Sequence, residues 1–571
     1  MAEMKGLGGI EMAQANSRQH DDMEDIKPSA GEIKEVQGDS HFYETITASP
    51  LDPWSKTSLQ LYLILLVAAL NATSSGFDGS IFSSINAMDQ YKKYFNHTEL
   101  GGSTGIIFMI YTIGNMVGSL FTGPICDWFG RRAGMAIGSC LIMAGAAVQT
   151  AARDDGYLLA GRFVLGFGVS IGTSAAPTYA LELAPPQWRA RIVGYYNTFF
   201  YTGSILATGV AYASNKARGE LAFRLPLALQ LAPPLLIVAG CFLIPESPRW
   251  LAMWGRRDEA AAVLARYHGG GDAAHPLVRL ELREFERGIE TQRSSVRGIL
   301  DFRPLVSTHA ARWRFLMMAL MSVLAQLSGN SVLTYYLPSM LTLVGVTSTE
   351  RRLLLTFMNS IVSCAGALAG SATNDAVGRR TKLWAGSVVL AGLFAGVTGV
   401  SSRFSGKGVA DGDPGAAVTN AGIAFIFLFG CAYSFVYTPL TATYCAEVLS
   451  NPMRAKGMGI HVILSNCANL YNTYVTAVAV EATGWHYYLV FVGLNLAYAA
   501  VWFLLGVETR GRTLEELDAV FEAPFPPRAA LKRTVMVRKG DGHLEGLPPA
   551  AGQGQGQGQG HHAAAAAAED T

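Results

Sequence analysis

Hydrophobic and polar positions divide the 571-residue chain into a polar, acidic leader, a series of long apolar runs and a polar tail. A hydrocarbon layer about 30 Å thick is crossed by roughly 20 apolar residues of helix. Twelve runs meet that length, near 58–85, 102–126, 133–152, 157–183, 190–213, 225–245, 313–340, 352–374, 381–402, 418–446, 456–479 and 485–506. The pattern predicts an all-α integral membrane protein with twelve transmembrane helices. Residues 246–312 alternate charge and keep helical periodicity, as from Leu277 to Arg287, so short amphipathic helices against one membrane face are expected there. The predicted organisation is a disordered polar tail over 1–56, a six-helix bundle over 57–245, the linker 246–312, a second bundle over 313–506 and a tail over 507–571. The last is of low complexity from about residue 540, with its GQGQGQGQG and poly-Ala runs.

Composition agrees with a lipid solvent. Half the residues are hydrophobic and only 15% are charged, giving a mean hydropathy of +0.25, more apolar material than several soluble cores need. A net charge of +1 leaves no basic stripe for nucleic acid. The seven cysteines fall in or beside apolar runs without metal-ligand spacing, so free thiols that pack as small apolar side chains are expected. No short apolar run with a small-residue cleavage site precedes residue 56, and the first helix is expected to direct insertion. There is no GxSxG elbow, HExxH pair or P-loop, which argues against an enzyme or an ATP-driven pump and calls for no cofactor or metal.

An even number of spans puts both tails on one side. Arg131/Arg132, Arg189/Arg191, Arg379/Arg380/Lys382 and Arg454/Lys456 occupy short loops, and the segment 246–312 adds eleven arginines, which marks the cytoplasmic face. Lys92/Lys93, Lys216/Arg218 and Arg351/Arg352 are exceptions on the opposite face. Asn96-His97-Thr98 is a glycosylation sequon in the first outer loop, which makes Asn96 a candidate acceptor.

The halves repeat one another. Asp127-Trp128-Phe129-Gly130-Arg131-Arg132 follows the second run, and Asp375-Ala376-Val377-Gly378-Arg379-Arg380 the eighth. Glu182 precedes Arg189-Ala190-Arg191, as Glu447 precedes Arg454-Ala455-Lys456. Pro245-Glu246-Ser247-Pro248-Arg249 follows the sixth run, and Glu508-Thr509-Arg510 the twelfth. Duplicated halves that rock about a central site are a design of secondary transporters. Arginine forks bind carboxylates bidentately, so Asp127, Arg131, Arg132, Glu182, Arg189, Glu246 and Arg249 are expected to form a cytoplasmic gate with Asp375, Arg379, Arg380, Glu447, Arg454, Glu508 and Arg510. That gate would hold when the inner side is closed.

These motifs, with GRxxxGxG at Gly161 to Gly168, PESPRWL at 245–251 and ETRGRTLEE at 508–516, resemble the sugar porter family of the major facilitator superfamily from about Ser55 to Phe521. Gln326-Leu327-Ser328-Gly329-Asn330, Tyr335-Tyr336-Leu337 and Tyr437-Thr438-Pro439 are most similar to fungal lactose and cellobiose permeases. The resemblance implies the major facilitator fold, two pseudo-symmetric six-helix bundles with both termini cytoplasmic, a plasma-membrane location, a sugar and a proton as partners, and a single chain as the working unit.

An ionisable residue inside a span is a functional candidate, and Asp78 is the clearest. In proton-coupled sugar porters an Asp at this place pairs with the Arg that Arg162 matches, so Asp78 and Arg162 are the expected coupling pair. Sugars need amides, hydroxyls and aromatic faces near the midplane. The seventh run offers Gln326, Asn330, Ser331, Tyr335 and Tyr336; Asn359, Thr438, Asn466 and Asn469 complete the expected ring. Asn197 falls where family members usually carry a sugar-binding Gln. Hexose carriers usually have a second Gln at the Ala325 position and often a Trp at the Ala442 position, so a wider cavity for a disaccharide such as lactose or cellobiose, or a hexose, is expected. A facilitator, a carrier of polyols or quinate-like acids, and a non-transporting sensor are the alternatives. An acid carrier should place a further cation at the site, where only Arg162 and His461 are candidates.

Overall fold

Polar caps start the helices where the apolar runs begin. Ser55 accepts the Ser58 N–H at 3.1 Å at the head of α1 (Lys56–Asn86), and Asp154 accepts the Tyr157 N–H at 3.1 Å at the head of α5 (Asp155–Leu183). A computed structural model describes residues 52–188, 192, 195–295, 303–374, 376–405, 415–510, 512, 514–531, 535–538 and 544–547. The expected disordered tail up to residue 51, gate residues Arg189 and Asp375, and the repetitive end after residue 547 lie outside these residues.

The first half runs through α1, α2 (Asp89–Phe95), α3 (Gly102–Phe129), α4 (Arg131–Thr150), α5, α6 (Phe199–Ser214), α7 (Leu221–Leu229) and α8 (Ala232–Cys241). Three short helices follow: α9 (Pro248–Met253), α10 (Arg257–His268) and α11 (Pro276–Ser295). The second half comprises α12 (His309–Leu327), α13 (Asn330–Leu343), α14 (Thr349–Ala372), α15 (Arg379–Ser405), α16 (Ala416–Val436), α17 (Leu440–Val448), α18 (Asn451–Thr483) and α19 (Tyr487–Leu505). Two small helices, α20 (Leu514–Glu522) and α21 (Pro526–Ala529), come after. Among the described residues, ten helical stretches are long and apolar enough to cross a membrane. One of them, Lys456–Leu505, holds both α18 and α19, whereas α6, at the predicted fifth run, has 16 residues. The seventh run is broken at Ser328-Gly329, where Gly329 stands at φ 103°, and the tenth is interrupted at Tyr437 to Pro439.

Helix packing is close where glycines face backbone. A Cβ on Gly203 would lie 1.8 Å from the Thr73 carbonyl, and one on Gly76 would lie 1.8 Å from that of Phe200, so α1 and α6 touch main chain to main chain. Each half has its own apolar core. A third cluster draws Phe82 and Phe108 together with Tyr335, Tyr336, Leu353 and Ala477, and so spans the two halves at the end away from the arginine motifs.

The linker helices form a small core of their own from Leu251, Ala260, Leu264, Val278 and Leu282. His268, fully buried, holds them to the bundle: Nδ1 lies 2.5 Å from Glu281 and Nε2 lies 3.0 Å from the Leu183 carbonyl. Arg314 fastens α20 by pairing with Asp518, stacking 4.5 Å over Phe521 and donating to the Val448 carbonyl at 2.8 Å. Near the C-terminus β1 (Val535–Arg538) pairs antiparallel with β2 (Leu544–Leu547), and β2 falls on the stretch read as low complexity.

Candidate functional site

The charged motifs pair within their own halves, and the two sets of bonds match one another. In the first half, Arg131 pairs with Glu182 at 3.1 Å and with Asp127 at 3.3 Å, while Glu246 accepts the Arg131 and Arg132 N–H groups, each at 3.1 Å. In the second, Arg379 pairs with Glu447 at 3.2 Å, and Glu508 accepts the Arg379 and Arg380 N–H groups at 2.8 and 3.1 Å. The hydroxyl after each loop glutamate completes the parallel: Ser247 donates to Glu182 at 2.5 Å and Thr509 donates to Glu447 at 2.6 Å. Burial pushes the Glu246 carboxyl above its ordinary value, while its backbone N–H partners pull it down. Arg454 donates to the Ala446 carbonyl at 3.0 Å and the Arg510 N–H to Glu508 at 3.0 Å, whereas Arg249 lies on α9. Among the described residues, these pairs of the gate expected to join the halves each lie within one half.

At the other end charges do cross. Arg352 donates to both oxygens of Glu99, and Glu99 also binds Lys92 at 2.8 Å, which in turn binds Asp89 at 2.8 Å. Asp89 accepts from Thr349 at 3.1 Å, and Lys216 reaches Glu350 at 3.3 Å. Arg352, an exception to the arginine bias in the sequence, is therefore a buried partner rather than a topology signal. Asn96 is exposed at the end of α2 in the left-handed conformation.

Between these ends lies a cavity of about 190 Å³. The seventh run supplies Gln326, Asn330, Ser331 and Tyr335, and Asn359 of α14 and Asn469 of α18 join them. Ser331 donates to Asn469 at 3.0 Å, and the carbonyl of the Asn359 amide, on a side chain only 6% exposed, has no protein partner. Sequence reading missed the hydroxyls opposite. Ser80, Tyr201, Ser204 and Thr208 line the wall from the first half, with Thr356, Ser360, Ser363 and Ser434 from the second. The signal was present as the spacing 201, 204 and 208, one face of a helix. All the lining side chains are uncharged.

Four expected ligands stand elsewhere. Asn197 sits one turn before Tyr201, outside the cavity lining. Tyr336 is buried in the shared aromatic cluster and donates to the Thr473 carbonyl at 3.0 Å. Thr438 is bonded to the Tyr201 hydroxyl at 3.0 Å, and Asn466 to Asn115 at 3.3 Å, both across the halves. The widening expected at Ala325 and Ala442 is not formed there either. Ala325 is fully buried, its carbonyl takes the Ser328 and Tyr433 hydroxyls at 2.8 and 3.3 Å, and neither alanine lines the cavity.

Asp78 and Arg162 are each 1% exposed, and no ion pair joins them. The guanidinium is held 4.5 Å over the Phe82 ring and 4.9 Å over that of Tyr111, and Nε donates to the Ile107 carbonyl at 3.4 Å. Asp78 instead accepts from Gln230 at 3.0 Å, a partner on the sixth run that the sequence reading overlooked. His461 is satisfied within the second half, 2.7 Å from the Ser322 hydroxyl.

A family profile described as "Sugar (and other) transporter" matches residues 64–521. The chain is 28% identical to a high-affinity glucose transporter of Kluyveromyces lactis over 82% of its own length and 86% of that protein. It is 26% identical to a quinate permease of Emericella nidulans over 81% of its length and 89% of that protein. Among solved structures, the inward open conformation of the xylose transporter XylE from E. coli superposes with a TM-score of 0.65 at 20% identity, covering 81% of this chain and 100% of that one. The proton:xylose symporter XylE bound to 6-bromo-6-deoxy-D-glucose superposes with a TM-score of 0.64 at 21% identity, covering 82% and 100%.

Proposed function

This chain belongs to the sugar (and other) transporter family, and from that premise we propose that it carries a neutral sugar across the plasma membrane by alternating access, together with a proton. Its multi-pass membrane character and its place among sugar transporters follow from the family match and the apolar helices. The observation that carries the choice of substrate is the cavity wall. Amides and hydroxyls line the space with no charged side chain among them, which suits hydroxyl groups and offers a carboxylate no cation. A quinate-like acid is thereby disfavoured, although one relative is named for quinate. At about 190 Å³ the cavity has room for roughly a dozen water-sized atoms, the size of one sugar ring with its hydroxyls.

Proton coupling is supported by Asp78. It is buried beside Arg162 yet hydrogen-bonded to a neutral amide, so gain or loss of a proton there changes the local charge without first breaking an ion pair. Among the described residues the outer charges join the two halves, an arrangement that fits a carrier closed on its outer side. Uptake of labelled glucose, xylose, lactose and cellobiose into a transport-deficient host, with and without a protonophore, tests the reading. Accumulation abolished by the protonophore is expected. Uptake indifferent to it would make the protein a facilitator, and binding without uptake a sensor.

A further inference from the structure

Tyr201 stands at the first turn of α6, on the side of the cavity nearest the arginine motifs, and its hydroxyl crosses to the other half. It lies 2.7 Å from the Ser434 hydroxyl and 3.0 Å from that of Thr438, at the break between α16 and α17. Higher on the same helix face, Ser204 and Thr208 reach Ser360 at 3.2 and 3.4 Å. A phenol has one proton to give and lone pairs to receive, so it can donate to one of its two neighbours and accept from the other. Neither Ser434 nor Thr438 has another hydrogen-bond partner among the described residues. The bridge therefore closes one wall of the cavity with a rigid ring and satisfies three hydroxyls at once.

We propose that Tyr201 is the specificity-determining residue of this cavity: its phenol, bridged to Ser434 and Thr438, shuts the inner side against a second sugar ring and confines the ligand to one. The inference rests on the reading of the cavity as a sugar site. A two-ring ligand must swing the phenol aside, break both bonds and supply matching hydroxyls to all three groups, and leaving any of them buried and unpaired carries a penalty. A one-ring ligand occupies the space beside the amides of Gln326, Asn330 and Asn359 with the bridge intact.

The test is competition. Labelled glucose or xylose, whichever the unmodified protein takes up, is challenged with unlabelled glucose and cellobiose in cells expressing the full chain, with surface abundance measured for each variant. The inhibition constant for cellobiose should exceed that for glucose at least tenfold. That ratio should fall about tenfold in Tyr201→Ala and about threefold in Tyr201→Phe, which keeps the ring and loses only the bridge. Thr438→Val breaks the bridge from the other half and should act like Tyr201→Phe; these two variants decide the matter if Tyr201→Ala does not reach the membrane. A ratio within twofold of the original in the variants, or an unmodified protein that binds cellobiose as tightly as glucose, overturns the proposal. If no sugar is taken up or competes, the sugar reading itself fails and the proposal with it, a result distinct from an unmoved ratio.

Discussion

Arg352 donates from Nη1 to both carboxylate oxygens of Glu99, at 2.8 and 2.7 Å, and the two residues belong to opposite halves of the chain. Their side chains are 5% and 18% exposed, so the pair is little screened. Replacing Glu99 by Gln leaves a buried guanidinium without its counter-charge, at a cost of about 3 kcal/mol in the conformer that contains the pair. The expected outcome is a shift towards the outward-open state. A cysteine placed at Thr208, in the cavity wall, should then react several-fold faster with a reagent applied from outside; an unchanged rate would remove Glu99 from the mechanism.

Acidity should act on this same outer network only at its lower limit. The hydrogen bond from Lys92 holds the Asp89 carboxyl below its ordinary value of 3.8. A depressed carboxylate stabilises the folded arrangement above its ordinary value and loses that contribution as pH falls through the depressed one. Outside reactivity at Thr208→Cys should therefore not change through titration of Asp89 between neutrality and that limit. An effect of Asp89→Asn that disappeared on mild acidification would contradict the assignment.

Asp78→Asn should abolish uphill accumulation while exchange of labelled for unlabelled sugar persists, because the amide cannot take up and release a proton. Gln230→Leu keeps the carboxyl but removes its hydrogen-bond partner. It should displace the pH profile of uptake while retaining accumulation. Accumulation by Asp78→Asn would end the coupling role.

Gly203→Ala drives a methyl into the Thr73 carbonyl, where a Cβ would stand 1.8 Å away. A cost of about 3 kcal/mol or more, with loss of protein at the cell surface, is expected. Gly392→Ala meets nothing within 4 Å and serves as the control. Equal surface levels for the two variants would mean that α1 and α6 are not in main-chain contact.

Glu447→Gln removes the charge that Arg379 and Thr509 share. With the Glu447 side chain 32% exposed, the loss should be modest, about 1 kcal/mol, read as a lower thermal midpoint of the purified carrier. Restoration by Arg379→Gln in the same chain would show that the pair acts as a unit.

Much of this architecture can be read in the chain because lipid enforces long apolar runs and because the charged motifs occur twice. The repeat identifies Glu182 with Glu447 and Glu246 with Glu508, and their bonding partners are equivalent in space. Side-chain choice inside the bundle is less legible. Periodicity places Asn197 and Tyr201 on one helix face but does not say which turn reaches the cavity, and the longer phenol is the one that does. Asp78 has both a cation and an amide within its surroundings; the aromatic rings of Phe82 and Tyr111 take the guanidinium, leaving the amide to Gln230. Such competition between partners depends on distances that spacing along a sequence does not encode.

The interruptions at Ser328-Gly329 and at Tyr437 to Pro439 are absent from the equivalent first and fourth runs, where α1 runs unbroken for 31 residues and α5 for 29. These two pairs of equivalent elements have thus diverged in stiffness: in each, the first copy is a solid rod and the second a jointed one. Bending during a transport cycle then belongs to the jointed copy, whose knuckles carry the cavity residues Asn330 and Ser331 at one break and the Thr438 contact at the other. Cargo pressing on those knuckles is felt directly by the part that flexes, while Asp78 and Arg162 stand on the two unbroken rods.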